Sequence, residues 1–280
     1  MEQTTKLQTS ASVHSDMSRE CSLANEAALN ACPVPRVFHL VWVTGSDFKF
    51  RHYLSVKSMH DQVRPDALFI HGRDFPVSNA YFKKVTDEFN ATLVLSRDVT
   101  QIHTQAVDVV EHKSDVIRLE SLLRFGGMYF DFDVFVLRSF DQFLDQETVL
   151  SRENSNGLNN GVIFAKRCSR FLTRWYQSYR TFNDQEWGMH SIIMPKRLYD
   201  QDHLGLTVAG SEIQSDWPTT ADEFFSPTRI PEFCDPIRII HVYFRQRPDL
   251  GNLDEEAVCK LENNYGRIAK LIIAGKGVQP

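Results

Sequence analysis

No run of 18 apolar residues occurs in the sequence, so no membrane-crossing helix is written in it. The opening MEQTTKLQTSASVHS lacks the basic-then-apolar pattern of a secretory signal. Cysteine is scarce. Cys21, Cys32, Cys168, Cys234 and Cys259 show no C-x-x-C spacing, which argues against a structural zinc site, and the expectation is unpaired thiols in a reducing compartment. Positive charge is not in excess: 31 Lys and Arg stand against 36 Asp and Glu, a net charge of −5 that argues against nucleic acid or an anionic membrane as partner. Internal repeats and low-complexity segments are also missing. What remains is an ordinary globular composition, 42% hydrophobic and 24% charged over 280 residues, enough for one large domain or two small ones.

One stretch concentrates the chemistry: Ser114 to Val134, SDVIRLESLLRFGGMYFDFDV. Val116, Leu119, Leu122 and Leu123 recur at helical spacing. Gly126-Gly127 then ends the helix, since glycine tolerates the left-handed backbone of a helix C-terminus. Met128 to Leu137 alternates as a strand, which puts Asp131 and Asp133 on one face, roughly 6–7 Å apart. Two carboxylates among aromatic residues repel each other and resist ionising. A divalent cation relieves that penalty, and Mg²⁺ or Mn²⁺ takes one or two protein carboxylates while leaving places for substrate phosphates. On the helix, Asp115 and Arg118 are spaced i, i+3 and share a face; a surface ion pair is the plainer reading of that spacing alone.

The pattern S-D-x-x-R-x-x-x-L-x-x-x-G-G-x-Y-x-D-x-D resembles the signature of glycosyltransferase family 32, whose members carry a DXD sugar-binding region. Yeast Golgi mannosyltransferases and animal α-1,4-galactosyl- and α-1,4-N-acetylglucosaminyltransferases belong to that family, and the glucosyltransferase domains of large clostridial toxins are similar. The resemblance implies a GT-A-like, Rossmann-type α/β domain that transfers a sugar from a UDP- or GDP-linked donor, with Mn²⁺ or Mg²⁺ as cofactor and with retention of anomeric configuration. The acceptor it implies is a glycan, glycolipid or protein hydroxyl. On that reading Asp133 is the expected direct metal ligand and Asp131 the expected contact to ribose or sugar, reaching the metal through water, and the resemblance implies that Asp115 and Arg118 hold donor hydroxyls. Members in the Golgi usually carry an N-terminal anchor. The expectation is a soluble, cytoplasmic protein as the sequence stands, or a Golgi protein if such an anchor is missing from it.

Along the chain, residues 1–34 are polar and read as a mobile or loosely helical tail, with a short helix over Ser22 to Ala31. Residues 35–280 read as one domain. Apolar strands at Val37 to Val43, Ala67 to His71 and Thr92 to Leu95 alternate with helices at Arg51 to Val63 and Ser78 to Phe89, Ser78 being the expected N-cap. A long helix from about Thr104 runs into the central stretch. This alternation predicts a mostly parallel sheet flanked by helices, with ligands bound at the strands' carboxyl ends. Trp42 sits at such an end, where an indole stacks on a base or joins the core; the resemblance of PRVFHLVW to the family's first strand favours the nucleotide pocket.

Asn156 to Gly161 reads as a polar turn before a strand at Val162 to Ala165, and the resemblance assigns Asn159 and Asn160 to the donor side. The G-P pair of some mannosyl- and galactosyltransferases is absent, so donor and acceptor stay open. Ile237 to Phe244 reads as a strand carrying His241, which the resemblance makes a third metal or phosphate contact, with Arg245 and Arg247 supplying charge to the diphosphate. Asp254 to Ala274 reads as a closing helix with Ala257, Leu261, Tyr265, Ile268 and Leu271 buried. Two alternatives stand beside transfer. One is a catalytically inactive sugar-nucleotide or carbohydrate-binding protein. The other is a DxD phosphohydrolase, disfavoured because Phe135 stands where that class has Thr or Val.

Overall fold

The computed structural model describes residues 7–9, 32–43, 45, 47–228 and 237–276. The helix expected over Ser22 to Ala31 lies outside them. A sheet is built from strands β1 (Leu7–Thr9), β2 (Val37–Trp42), β3 (Ala67–Gly72) and β4 (Thr92–Leu95), with helices α1 (Phe50–Val63) and α2 (Ala80–Glu88) between the last three. A small hairpin, β5 (Gln101–Ile102) and β6 (Gln105–Ala106), precedes α3 (Val110–Phe125), β7 (Gly127–Phe130) and β8 (Val134–Val136). Then come β9 (Thr148–Asn154), β10 (Gly157–Ala165), α4 (Arg170–Ser178), α5 (Met194–Gln201), β11 (Leu206–Ala209), β12 (Ile213–Gln214) and α6 (Thr219–Phe225). The described chain closes with β13 (Ile239–His241), α7 (Pro248–Gly251), α8 (Glu255–Lys260) and α9 (Asn264–Ile273).

The central sheet has eight strands in the order β1-β4-β3-β2-β7-β10-β9-β11. Its pairings are parallel from β1 through β7 and between β9 and β11, and antiparallel where β10 joins β7 and β9. The expected α/β fold with a mostly parallel, helix-flanked sheet is therefore present. Alternation along β2 sends Phe38, Leu40 and Trp42 into one core, with Leu54, Val56 and Met59 of α1, and Val41 into the other, with Leu119 and Leu122 of α3. Each such fully buried Leu contributes about 1.5–3 kcal/mol relative to exposure. Gly126 and Gly127 take φ of 65° and 111°, so α3 turns sharply into β7. A Cβ on Gly127 would also come within 2.5 Å of the Val37 carbonyl oxygen.

Several boundaries differ from expectation. Met128 to Leu137 is not one strand. The chain leaves the large sheet after Phe130, turns through Asp131–Asp133, and enters a second sheet of order β12-β13-β8. The turn is closed by Val134 N–H donating to the Asp131 carbonyl at 3.2 Å, and by Phe132, whose ring packs edge-on against Trp42 and Phe48. Ser55 and Ser58 of α1 then clamp β8, one donating to the Val134 carbonyl and the other accepting from Val136 N–H.

Asn159 and Asn160 lie inside β10, because only Ser155 and Asn156 form the hairpin turn. Asn79, not Ser78, caps α2, accepting from the backbone of Tyr81 and Phe82. The closing helix is two helices, since Asn263 caps a new one and Leu261 ends the first in an extended conformation; the buried face there is Val258, Tyr265, Ile268, Ala269 and Ile272. The thiols also depart from expectation: Cys32 and Cys259 are free, but Cys168 is disulfide-bonded. No helix among the described residues is long and apolar enough to cross a membrane.

Candidate active site

Two sheets meet where the chain crosses between them, and that crossing makes the site. β7 delivers Asp131 from the large sheet, its N–H donating to the Gly161 carbonyl of β10 at 2.8 Å. β13 pairs antiparallel with β8 so that His241 stands opposite Val134, and Val242 N–H donates to the Asp133 carbonyl at 3.0 Å. This register sets the imidazole beside both acids. His241 Nε2 lies 3.1 Å from Asp133 Oδ1 and 3.7 Å from Asp131 Oδ2. Ligand atoms of all three side chains fall within 4.8 Å of one another.

Two carboxylates and one imidazole are a donor set suited to a hard or borderline divalent cation. The third wall of this cradle is Gly161, where a Cβ would lie 2.8 Å from Asp131 Oδ2 and 2.5 Å from His241 Cε1. Only hydrogen at that position leaves both ligands room. Charge is arranged accordingly. Burial pushes the Asp133 carboxyl up, but the facing His241 imidazole and its hydrogen bond hold it down at about 2. Burial lowers His241, and Asp133 more than offsets it, so its pKa is raised.

A second cluster lies one helix face away. Arg118 reaches across β7 and β10: Nη1 donates to the Asn160 carbonyl at 2.6 Å and lies 3.4 Å from Asp131 Oδ1, while Nη2 is 3.1 Å from Asp115 Oδ1. Its guanidinium stacks 4.3 Å over the Tyr129 ring, and Tyr129 O–H donates to Asp131. Asn160 Nδ2 donates to Asp115 Oδ1 at 2.8 Å. Burial lifts the Asp115 carboxyl to about 6, against the pull of Arg118. The pair is thus buried and tied to Asp131, unlike a surface ion pair.

Asn159 is the hub behind the imidazole. Its Oδ1 accepts from Gly161 N–H at 2.9 Å, which turns its amide nitrogen towards Glu153 Oε2 at 3.0 Å, Tyr243 Oη at 2.9 Å and His241 Nδ1 at 3.0 Å. Tyr243 stacks on His241 with ring centroids 4.0 Å apart and donates to the Ser215 carbonyl. Burial raises Glu153.

These groups open into a cleft of about 660 Å³ whose lining includes Asp115, Arg118, Asp131, Glu153, Asn160, His241 and Tyr243. Trp42 is not part of that lining. It is 3% exposed, wedged among Phe48, His52 and Phe132, and its indole N–H has no partner among the described residues. The structure thus gives it a core position instead of a ring face open to a base. Arg245 reaches the cleft, but Arg247 turns away to pair with Asp249 at 2.9 Å. Glu153, Tyr243, Trp187 and Trp217 are site residues that sequence reasoning missed. They come from four separate segments and carry no motif of their own.

Residues 39–150 match the family model described as glycosyltransferase sugar-binding region containing DXD motif. Glucan organizing enzyme 1 of Cryptococcus neoformans var. grubii serotype A is 29% identical over 185 residues, 62% of this chain and 50% of that protein. The chain spans about half the length of this curated relative. The apo-form glycosyltransferase GlyE of Streptococcus pneumoniae TIGR4 superposes with a TM-score of 0.50 at 12% identity, over 86% of this chain and 60% of GlyE. A second GlyE structure gives 0.50 at 11% identity, over 88% and 65%. The fold is the GT-A-like one. The resemblance to DXD-containing glycosyltransferases, carried by Ser114 to Val134, holds and extends over residues 39–150.

Proposed function

We propose that residues 35–280 form a single glycosyltransferase domain that moves a sugar from a nucleotide-diphosphate donor to an acceptor hydroxyl, with a divalent cation held by Asp131, Asp133 and His241. The observation that carries this reading is the convergence of those three side chains, two of which, Asp131 and His241, line a cleft whose next wall is the buried Asp115–Arg118 pair. Bound there, Mn²⁺ or Mg²⁺ would supply Lewis-acid stabilisation of the leaving diphosphate.

The chain's own residues do the rest. Asp133 and His241 hold each other in register, and Asn159 and Tyr243 fix the imidazole from behind. Arg118, always charged, and the hydroxyl of Tyr129, whose ring is stacked beneath it, together orient Asp131 through its Oδ1. Asp115, held by Asn160 and Arg118, offers carboxylate oxygens to donor-sugar hydroxyls, a contact that places the anomeric carbon against the cleft. Retention of configuration fits a displacement on one sugar face, in which the departing phosphate oxygen accepts the acceptor's proton.

A thermal-shift screen of UDP- and GDP-sugars with and without Mn²⁺ tests the reading. A donor present at 100 times its Kd stabilises by about 2.7 kcal/mol, and the shift should vanish with EDTA. Shifts identical in both conditions for every donor contradict it.

A further inference from the structure

The chain has four tryptophans. Trp42 and Trp175 are buried, whereas Trp187 and Trp217 are 60% and 37% exposed and both line the one cleft described above. Exposed indoles scattered singly need no explanation, but two on a single concave surface do. We propose that Trp187 and Trp217 form the platform on which the acceptor docks, and that the acceptor is a pyranose sugar. This inference rests on the reading of the cleft as a sugar-transfer site.

Neither indole is exposed through slack. Trp187 sits three residues after Asp184, which accepts from Asp108 N–H at 2.9 Å, Val109 N–H at 3.0 Å and the His112 ring at 2.8 Å. The segment is therefore pinned to the N-terminus of α3. Gly188, at φ 71°, turns the chain away immediately afterwards and leaves the indole standing in the cleft. Trp217 is pinned through its backbone N–H, which donates to the Glu153 carbonyl at 2.7 Å, and its ring meets Tyr243 edge-on at 5.1 Å.

Position distinguishes acceptor from nucleotide. Along α3, Arg118 reaches Asp131, Asp115 lies one turn before it, and Glu111 one turn before that. From Arg118 to Glu111 is about 10 Å at 1.5 Å per residue. A diphosphate at the Asp131 end with its sugar on Asp115 directs the line of the donor towards Glu111 and Trp187. The nucleoside hangs from the opposite end of the diphosphate. What meets Trp187 is therefore the group that approaches the sugar, the acceptor.

The surroundings fit a pyranose better than an apolar partner. A pyranose presents a face of C–H bonds, suited to an indole, and an edge of hydroxyls. Around the indoles stand Arg245, stacked 4.7 Å over Trp187, Glu111 at 3.5 Å from Arg245, and Gln246. Arg245 and Glu111 are both exposed, so their ion pair contributes little and opens readily for a ligand.

The test titrates the whole chain with methyl pyranosides of glucose, galactose, mannose and N-acetylglucosamine and their disaccharides, following tryptophan fluorescence without any donor. At least one glycoside should shift the emission, and Trp187→Ala and Trp217→Ala should each weaken its binding at least tenfold, about 1.4 kcal/mol. Trp187→Phe should restore most of it. In transfer assays the Ala variants should raise acceptor KM with donor KM within twofold of wild type. Emission unmoved by every glycoside overturns the platform, as does a rise in donor KM with acceptor KM unchanged, which would assign the indoles to the base. A protein that binds glycosides in this way but no nucleotide sugar overturns the transferase reading instead.

Discussion

Gly161→Ala is the smallest change that reaches the centre of the site. The added methyl would stand 2.5 Å from His241 Cε1 and 2.8 Å from both His241 Nδ1 and Asp131 Oδ2. Relief to an ordinary 3.4 Å contact requires the imidazole edge to withdraw by about 0.9 Å. That ring is not free to swing. It is stacked on Tyr243 at 4.0 Å, set against Asn159 on one nitrogen and paired with Asp133 on the other. A displacement near 1 Å at a reacting constellation costs on the order of 100-fold in rate. The overpacking itself costs about 1–3 kcal/mol, which lowers Tm by several degrees without unfolding the protein. Steady-state kinetics with Mn²⁺ and the donor found by thermal shift should show kcat/KM reduced about 100-fold, beside a cooperative melt. A variant with kcat/KM and Mn²⁺ requirement within threefold of wild type would refute the argument from Gly161 packing against Asp131 and His241.

Two further outcomes follow from the same geometry. Asp115→Ala removes one of the two carboxylates beside Arg118 and leaves it Asp131 and the Asn160 carbonyl. It should cut donor kcat/KM at least tenfold, about 1.4 kcal/mol, in a protein that still melts cooperatively at a lowered Tm, and an unfolded variant with normal specific activity in its folded fraction would make the pair structural. The second outcome concerns acid stability. His39 and His71 are buried, 2.8 Å apart, and burial holds His39 down at about 4 and His71 well below its usual value. The unfolded chain takes up these protons near pH 6.5, whereas the folded chain takes up that of His39 only near pH 4 and resists protonation of His71 as well. Stability from this source is full above pH 6.5 and falls as pH drops towards 4. Between pH 7 and 4.5 His39 alone removes about 2–3 kcal/mol, readable as a lower urea midpoint. The raised His241 works in the opposite sense, contributing below pH 6.5 and fading as pH rises through its folded value. His39→Gln should remove the His39 share of the acid slope and leave that of the buried His71, and an equally steep slope in that variant would contradict the assignment.

What was legible in the sequence was whatever is encoded locally. β2 and β3 are apolar runs, and α3, Gly126-Gly127 and β7 follow from helical spacing and a glycine stop. Asp131 and Asp133 were readable as a pair, but not their setting. Alternation continues through Phe132 as if in one strand, while tertiary packing of that ring against Trp42 and Phe48 makes a turn. Asn and Gly between 156 and 161 read as turn residues, and pairing with β9 draws most of them into β10. Trp42 was ambiguous because a strand's last residue faces core or cleft according to what packs on it. Glu153, Tyr243, Trp187 and Trp217 could not be found this way. Their meeting depends on β13 crossing to β8 and on Asp184 binding α3, contacts between residues 72 to 108 positions apart.

The most direct measurement counts bound Mn²⁺ by electron paramagnetic resonance in the presence of UDP or GDP. Wild type should bind one ion at the Asp131–Asp133–His241 cluster, and Asp133→Asn, which keeps the shape of the side chain and loses its charge, should bind none in the same range while melting cooperatively. Full Mn²⁺ binding by Asp133→Asn, or none by wild type with either nucleotide, would contradict a metal–diphosphate site at these residues.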